Sequence, residues 1–237
     1  FSPASGDLKA AHFVFYVREI LAERYGERAV EQGGLQVKTT LDLEIQDKAQ
    51  VIVRDEIAKL GNYKVGNGAA IVMDVKNSQI LAMVGSKDYF AKDYDGKVNV
   101  TLSQRQPGSS IKPITYATAF KQGYTPSTVV ADVPTEFPGG EGLPPYRPDN
   151  YDGKAHGFVQ LRFALGNSFN MPAVKMLANV GLKNMLSTAY DMGLTTLEPT
   201  DDNLKRFGLA VTLGGGEVRL LDLATAYTVF ASGGVKH

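Results

Sequence analysis

The stretch that decides the fold prediction is Arg105-Gln106-Pro107-Gly108-Ser109-Ser110-Ile111-Lys112-Pro113. Proline has no backbone N–H and is tolerated in a helix only within the first turn, so Pro113 predicts a helix that begins near Ser109 or Ser110. Residues three positions apart share a helix face, and the amine of Lys112 can therefore reach the hydroxyl of Ser109. The sequence thus places a serine and a lysine side by side at a helix N-terminus.

This serine–lysine pair has the elements of a nucleophilic site. A serine hydroxyl is a poor nucleophile until a base takes its proton, and a lysine can be that base if burial and positive potential lower its pKa. The helix N-terminus supplies such potential and favours negative charge on an attacked carbonyl oxygen. Gly108 would let a substrate backbone approach closely. The alternative is a common Ser-x-x-Lys tetrapeptide with its lysine on a solvated helix face.

A second polar motif is Ser168-Phe169-Asn170, between a predicted helix that ends near Leu165 and another that Pro172 opens. A short loop between helices can direct both polar side chains into a cleft. The serine hydroxyl can pass a proton between Lys112 and a leaving nitrogen, and the Asn170 amide can hold a substrate carbonyl and the lysine. Alternatively, Asn170 is an N-cap ahead of Pro172.

Composition excludes several classes of function. The 237 residues are 43% hydrophobic and 21% charged, as in ordinary globular proteins. Lys and Arg total 25 against 25 Asp and Glu, so no net field favours nucleic acid or an anionic membrane surface. The absence of cysteine excludes disulfides and thiolate metal sites. No apolar run approaches the ~20 residues that span a bilayer, and we expect no signal peptide or anchor within these 237 residues.

Hydrophobic periodicity predicts an α+β fold. Ala69–Met73 and Ile80–Val84 are nearly continuous apolar strands joined through Lys76-Asn77-Ser78, so we expect a central hairpin in an antiparallel sheet with helices on both faces. Gln122–Gly157, rich in Pro and Gly, is predicted as a long ordered loop that Tyr146 and Tyr151 help to pack. The other predicted elements are a strand at 35–40 and helices at about 8–25, 43–60, 158–165, 171–180, 182–192 and 220–231. Asp42 is predicted as the N-cap of the helix at 43–60.

The three histidines argue against a histidine-based hydrolase. His12 lies in the first predicted helix, His156 in the long loop and His237 at the last position, and no Gly-x-Ser-x-Gly elbow occurs. The same scatter provides no metal-ligand spacing, although carboxylates alone could hold a hard ion. We interpret the remaining candidate carboxylates as turn residues: Asp149, Asp152, Asp201 and Asp202.

Taken together, the motifs resemble the transpeptidase domain of bifunctional, class A penicillin-binding proteins, from about Leu35 onward. The Ser-x-x-Lys and Ser-x-Asn motifs are two of the three that mark these proteins and class A β-lactamases. The resemblance is carried by Thr39-Thr40-Leu41-Asp42, Met73-Asp74-Val75-Lys76, Arg105–Pro113, Pro148-Asp149-Asn150-Tyr151, Gly166-Asn167-Ser168-Phe169-Asn170-Met171-Pro172-Ala173, Leu213-Gly214-Gly215-Gly216-Glu217-Val218 and Leu221-Asp222-Leu223-Ala224.

The resemblance implies a serine β-lactamase/penicillin-binding-protein fold and a D,D-transpeptidase that cross-links peptidoglycan. Ser109 would attack the D-Ala-D-Ala amide of a stem peptide, and its backbone N–H would form half of the oxyanion hole. Lys112 would take the proton, while Ser168 and Asn170 relay protons and position the acyl chain. A second stem peptide would resolve the acyl-enzyme, and β-lactams would acylate the same serine. The resemblance implies no cofactor or metal, and assigns substrate contacts to Gly108, Ser110 and Asn150.

The third motif of the family, a Lys-Thr-Gly strand, does not occur after Ser-x-Asn, and Lys38-Thr39-Thr40 lies too far upstream to replace it. We therefore expect a fold incomplete at the C-terminus, inactive alone, with the rest on a second polypeptide. Residues 1–34 resemble a connector after an absent glycosyltransferase domain, and 35–237 the larger part of the transpeptidase domain. The implied location is the extracytoplasmic face of the bacterial cytoplasmic membrane, with membrane attachment only through an absent N-terminal anchor.

Two alternative functions stay open. A β-lactamase would share Ser109 and Lys112 but needs a carboxylate to activate water, and only Glu136 and Glu141 stand between the two motifs. A non-catalytic module, either a β-lactam sensor or a wall-binding scaffold, would keep the site without turnover of peptide. Acylation without peptide turnover would favour that module over the transpeptidase.

Overall fold

The computed structural model describes residues 8–139 and 144–237. The chain forms two compact units: a discontinuous unit, made of the residues up to Gln104 together with Arg219–His237, and a central unit, Arg105–Val218. The helices are α1 (Ala11–Tyr25), α2 (Glu27–Gln32), α3 (Leu43–Lys59), α4 (Lys112–Lys121), α5 (Leu161–Gly166), α6 (Asn170–Val180), α7 (Leu182–Asp191), α8 (Asp201–Arg206) and α9 (Leu220–Ala231). The strands are β1 (Ala70–Met73), β2 (Ile80–Val84), β3 (Gln104–Arg105), β4 (Val129–Asp132), β5 (Gly157–Gln160) and β6 (Val218–Arg219).

The predicted hairpin forms in the discontinuous unit. β1 and β2 pair antiparallel, with Ile71 opposite Met83. Three consecutive residues of β2, Ala82, Met83 and Val84, have no exposed surface, which shows that this strand is covered on both faces. Helices α1 and α3 pack against β2, and α9 packs against β1. The predicted helical cover is confirmed, but within the described residues the sheet has only these two strands, so the central position of the hairpin is not observed.

The predicted strand at 35–40 is wrong. Leu35 and Val37 are exposed, and the chain from Gly34 to Asp42 has no regular structure. Only single contacts with β2 form here, including the Asp42 N–H donated to the carbonyl of Leu81 at 2.9 Å. The side chain of Gln46 then pairs with both backbone groups of Met83, at 2.7 and 3.2 Å. The Gln46 amide thus hydrogen-bonds to backbone groups at the edge of β2 that a neighbouring strand would otherwise pair with.

The central unit is built around α6. Helices α4, α5 and α7 and the 3-10 helix Leu209–Leu213 all pack against it. Its sequence is apolar on nearly every side, as expected for a helix surrounded by others. Its buried residues are Met171, Pro172, Ala173, Val174, Met176, Leu177 and Val180.

The predicted loop Gln122–Gly157 is partly wrong, because it contains β4, which pairs antiparallel with β5 through Val129 opposite Gln160. The residues at 158–160, predicted as helix, form most of β5, and α5 begins only at Leu161. Tyr146 is half-buried, but Tyr151 is fully exposed and packs nothing. With its helices and small antiparallel sheets, the described chain confirms the α+β class.

A close glycine contact supports the turn that precedes α4. Gly214 has a φ of +96°, and a Cβ built on it would lie 2.3 Å from the Gly108 nitrogen and 2.5 Å from its Cα. The backbone of the 3-10 helix Gly108–Ile111 therefore rests directly on Gly214. Only glycine provides both the left-handed backbone and this approach.

We predict that Gly214→Ala lowers the free energy of unfolding by about 3 kcal/mol, because left-handed strain and overpacking against backbone add together. Gly123→Ala is the matched control, since Gly123 has a φ of +92° but nothing within 4 Å of the added Cβ. It should lose only about 1 kcal/mol. Urea unfolding of both variants measures the difference, and equal losses would contradict the close contact.

We predict that Asp42→Ala destabilises the discontinuous unit by about 1 kcal/mol. The Asp42 carboxylate accepts the N–H groups of Glu44 at 2.9 Å and Ile45 at 3.1 Å, and so caps α3 as the sequence predicts. Asp55→Ala, which removes an exposed pair with Arg54, is the control and should change stability by less than about 0.5 kcal/mol. Thermal unfolding that ranks the two variants in the opposite order would exclude the cap.

Candidate active site

The predicted serine and lysine lie at the start of α4, in the central unit. Ser109 is exposed within the 3-10 helix Gly108–Ile111, which continues into α4 at Lys112. Pro113 occupies the first turn, and the Lys112 N–H is donated to the carbonyl of Ser109. The predicted helix start near Ser109 is therefore confirmed, with a 3-10 turn ahead of the α-helix.

The amine of Lys112 is enclosed by the second motif. Lys112 has no exposed surface. Its Nζ donates to the Ser168 carbonyl at 2.5 Å, the Ser168 Oγ at 3.2 Å, the Phe169 carbonyl at 3.2 Å and the Asn170 Oδ1 at 2.7 Å. The alternative of a solvated helix lysine is thus wrong. The two motifs that the sequence singled out meet at one amino group.

Burial changes the acid–base chemistry of this amine. Removal from water disfavours the charged form and lowers the pKa of Lys112 from 10.5 to about 8. About a tenth of the molecules would then carry a neutral lysine at pH 7. A neutral amine beside a hydroxyl can act as a general base, which a lysine of ordinary pKa cannot do near neutrality.

The Ser109 hydroxyl is not among the acceptors of this amine. Within residues 8–139 and 144–237, the Lys112 Nζ donates only to the Ser168–Asn170 segment, so the predicted contact with Ser109 is not formed. Hydrogen bonds between catalytic groups are often long before a substrate binds and shorten in the Michaelis complex. The structure brings together Lys112, Ser168 and Asn170, with Ser109 one turn before the lysine.

The Ser168–Asn170 segment is a tight connection between α5 and α6. Ser168 has a φ of +56°, a left-handed conformation that costs a non-glycine residue roughly 1 kcal/mol. The Ser168 N–H is donated to the Leu165 carbonyl and the Phe169 N–H to the Ala164 carbonyl, both at 2.9 Å. These bonds hold the strained turn and present both the hydroxyl and the carbonyl of Ser168 to the lysine.

Asn170 is the first residue of α6 and not its N-cap, which is Phe169. Its side chain instead faces the site: Oδ1 accepts from Lys112, and Nδ2 donates to the Asp149 carbonyl at 2.7 Å. The contact of this amide with the lysine is therefore as predicted. Contact with a substrate carbonyl stays a prediction.

The three predicted substrate contacts lie in different surroundings. Gly108 has a φ of +58° and open space where a side chain would point. The Ser110 hydroxyl donates to the Pro107 carbonyl at 2.6 Å. Asn150 is only 6% exposed and lies behind Asn170, whose N–H it accepts at 2.7 Å. Substrate binding by these residues stays a prediction.

Two further residues of the site were missed from the sequence. Asp132 ends β4 with a fully buried carboxylate, and His156 pairs its Nδ1 with that carboxylate at 2.6 Å. The available signal was an acidic residue directly after the apolar run Val129-Val130-Ala131, because a charge at the end of a buried strand needs a partner. Nothing local indicates that His156 is this partner.

The other predicted polar residues have structural roles. His12 is buried in the discontinuous unit, where it accepts the Gly85 N–H at Nδ1 and so donates from Nε2 to the Gly96 carbonyl at 2.9 Å. Asp152 accepts the Lys154 N–H in a turn, whereas Asp201 and Asp202 form the first turn of α8. Among the described residues, no group of three or more His, Asp or Glu side chains is arranged to hold a metal ion.

Comparisons with known proteins identify the family of the chain. Residues 68–237 match the family described as the penicillin binding protein transpeptidase domain. Penicillin-binding protein 1A of Neisseria flavescens is 35% identical over 170 residues, which are 71% of this chain and 20% of that protein. Penicillin-binding protein 2D of Bacillus subtilis is 31% identical over 231 residues, or 96% of this chain and 32% of the relative. The chain thus spans about a fifth of the length of the first curated relatives it matches.

Solved structures show the same fold. The crystal structure of penicillin-binding protein 1A from Haemophilus influenzae matches with a TM-score of 0.79 at 21% identity, over 94% of this chain and 46% of that one. The PonA1 protein of Mycobacterium tuberculosis, solved in complex with penicillin V, matches with a TM-score of 0.77 at 20% identity, over 97% and 61% of the two chains. None of the described helices is long and apolar enough to cross a bilayer. The predicted fold family is confirmed, and the chain belongs to the family of penicillin-binding protein transpeptidase domains.

Proposed function

We propose that this domain is a peptidoglycan D,D-transpeptidase that works through an acyl-serine at Ser109. The observation that carries the proposal is the buried Lys112 amine, enclosed by Ser168 and Asn170 one turn from an exposed serine. A lysine with a pKa near 8 and a hydroxyl beside it are the groups that serine acylation requires. Family membership supplies the substrate class, peptides that end in D-Ala-D-Ala.

In the acylation step, Ser109 Oγ attacks the carbonyl carbon of the terminal D-Ala-D-Ala bond while neutral Lys112 accepts the hydroxyl proton. The N–H of Ser109 donates to the oxyanion that develops. When the C–N bond breaks, the leaving D-Ala nitrogen takes a proton that passes from Lys112 through the Ser168 hydroxyl. The 3.2 Å distance between Lys112 Nζ and Ser168 Oγ suits this transfer.

The second step reverses the proton movements. The amine of a second stem peptide attacks the acyl carbonyl and gives up a proton by way of Ser168 to Lys112. The ester bond to Ser109 then breaks, and its oxygen regains a proton from Lys112. The products are one new peptide cross-link and the free serine. A β-lactam would enter at the first step, because its strained amide takes the place of the D-Ala-D-Ala bond.

We extend the proposal to the organisation of the protein. Residues 35–237 would be transpeptidase, and residues 1–34 a connector that follows a glycosyltransferase domain. The Lys-Thr-Gly segment that the family resemblance implies would supply the other oxyanion donor, whose removal typically costs on the order of 10²–10³ in rate. The site would act on the extracytoplasmic side of the bacterial cytoplasmic membrane, where its peptide substrates are assembled.

The β-lactamase alternative finds little support in the structure. Glu136, one of its two candidate carboxylates, forms an ion pair with Arg147 at 2.7 Å on the surface of the central unit. This carboxylate contacts Arg147 and is not among the groups around the Lys112 amine. The other candidate, Glu141, lies outside the described residues. A non-catalytic sensor or scaffold would keep the same geometry, and kinetics distinguishes it.

We predict that a fluorescent penicillin labels Ser109 and that the label persists for many minutes. Mass analysis of the labelled peptide over time identifies the residue and the rate of loss. The assay uses the protein with all the sequence that its native form carries. Ser127→Ala removes another exposed hydroxyl of the central unit, one that contacts Arg162, and should keep the label as the control, whereas Ser109→Ala should abolish it.

Each departure from this result has a defined meaning. Rapid loss of the label would identify a β-lactamase. Stable label with no cross-linking of D-Ala-D-Ala peptides would favour the sensor or scaffold. No label would reject the acyl-serine site.

We also predict that the acylation rate rises with pH through a midpoint near 8, because burial lowers the pKa of Lys112 and the neutral amine is the active base. The rate should therefore be lowest near pH 6 and level off above pH 9. Lys112→Met, which removes the base, should lower the plateau rate above pH 9 by about 10²–10⁴-fold and abolish the rise through pH 8. Stopped-flow acylation measures both, and a flat profile in the wild-type protein would exclude Lys112 as the base.

A further inference from the structure

The carboxylate of Asp132 is a buried charge outside the predicted catalytic set. It has no exposed surface, and its hydrogen-bond partners among the described residues come from the segment 150–156. Asn150 Nδ2 lies 3.0 Å from one carboxylate oxygen and 2.8 Å from the other. The N–H of His156 at 3.0 Å and its Nδ1 at 2.6 Å complete the set. Removing a carboxylate from water costs free energy even when it is fully paired, so the presence of Asp132 at this position calls for an explanation.

Asp132, together with the Lys154 carbonyl at 2.8 Å, fixes the orientation of the Asn150 amide. A carboxylate can only accept, so the NH₂ group of Asn150 must face Asp132 and the amide oxygen must face the other way. That oxygen accepts the N–H of Asn170 at 2.7 Å and the N–H of Met171 at 3.4 Å. No side chain of the N-cap residue, Phe169, makes this contact. Asn150 therefore caps α6 from a distant part of the chain.

The side chain of His156 contacts the Ser168–Asn170 segment as well. Its ring stacks on Phe169, with centroids 4.0 Å apart and an interplanar angle of 14°. The hydrogen bond to Asp132 is the main cause of the raised pKa of His156. The carboxylate of Asp152 lies 3.1 Å from the Nε2 atom of His156. Asp132 thus holds one residue that binds the backbone of Asn170 and another that packs on Phe169.

A third tie joins β4 to α6. The Lys175 ammonium donates to the Ala131 carbonyl at 2.7 Å. Burial lowers the pKa of Lys175, and the Asp132 charge partly offsets that effect, which places the cation within electrostatic reach of the carboxylate. Asp132 is not among the acceptors of the Lys112 amine in the described part of the chain, which are all supplied by Ser168, Phe169 and Asn170. Asp132 therefore reaches the lysine only through the residues that it holds in place.

We propose that Asp132 is a positioning residue for acylation: through Asn150 and His156 it holds the Ser168–Asn170 segment, which supplies every acceptor that the described residues offer to the Lys112 amine. The inference rests on the proposed function, because it concerns the same site. A shift of this segment by one ångström would move all four acceptors together. Displacements of that size cost on the order of 10²-fold in rate.

The test moves the carboxylate from Asp132 to position 150 and the amide from Asn150 to position 132, in two steps. In Asn150→Asp two carboxylates face each other, and we expect the acylation rate constant for penicillin to fall about 10²-fold, with the dissociation constant of the initial complex little changed. A double variant that combines Asp132→Asn with Asn150→Asp interchanges the donor and the charge. The new amide at position 132 can donate to the new carboxylate at position 150, whose other oxygen still accepts the N–H of Asn170. The acylation rate constant of the double variant should therefore be at least about tenfold higher than that of Asn150→Asp.

Two further variants keep the test decisive. Asn184→Asp adds the same charge on α7, where the Asn184 amide contacts only the Val180 carbonyl among the described residues, and should leave acylation unchanged. If Asn150→Asp does not fold, His156→Gln removes the stacking from a side chain that is already 28% exposed. It should reduce acylation by roughly tenfold or less, without loss of folding.

The outcomes separate this inference from the proposed function. Folded Asn150→Asp that acylates like wild type would overturn the positioning role, and so would a folded double variant without recovery. Wild-type protein that is not acylated at all would instead reject the proposed function. Hydrogen exchange of the Asn170 backbone amide still decides the contact in that case: it should be slow in wild type and at least about tenfold faster in Asn150→Leu, which has no oxygen to accept that N–H, and equal rates would overturn the inference.

Discussion

The complete burial of the Lys112 amine is the constraint on which the central unit depends. A cation removed from water must find acceptors or give up its proton. Ser168–Asn170 provides two carbonyls, a hydroxyl and an amide oxygen, enough to tolerate the charge. They do not cancel the cost of burial, since the pKa still falls to about 8. The incomplete compensation leaves a lysine poised between its two protonation states near neutral pH.

Two of the four acceptors are backbone carbonyls, so their positions are those of the chain itself. The left-handed Ser168 and the start of α6 at Asn170 determine where they point. Helix α6 is buried on nearly all sides and cannot shift without disturbing the core around it. The apolar interior of the central unit thus gives rigidity to the polar site. Strand β4, paired with β5, ends in Asp132, whose hydrogen-bond partners contact the Ser168–Asn170 segment.

Local signals in the sequence were reliable, and pairing over long distances was not. Pro113 and the Asp42 cap placed helix starts correctly, because each acts within one turn. The β4 strand was missed, since its partner lies beyond a stretch of Pro and Gly whose composition indicates loop. The tie from Asp132 to Asn170 by way of Asn150 joins three separate parts of the chain. Such a network has no period or spacing that a single sequence displays.

The discontinuous unit has a consequence for synthesis on the ribosome. Helix α9 covers β1, yet the whole central unit is translated between them. At about 5–20 residues per second this delay is on the order of ten seconds. Throughout it the nascent hairpin lacks one of its covering helices and exposes apolar surface, while the central unit can complete its own core. The central unit can therefore fold before the discontinuous unit is complete. Until α9 is synthesised, the β1–β2 hairpin is the part of the nascent chain that most needs a chaperone.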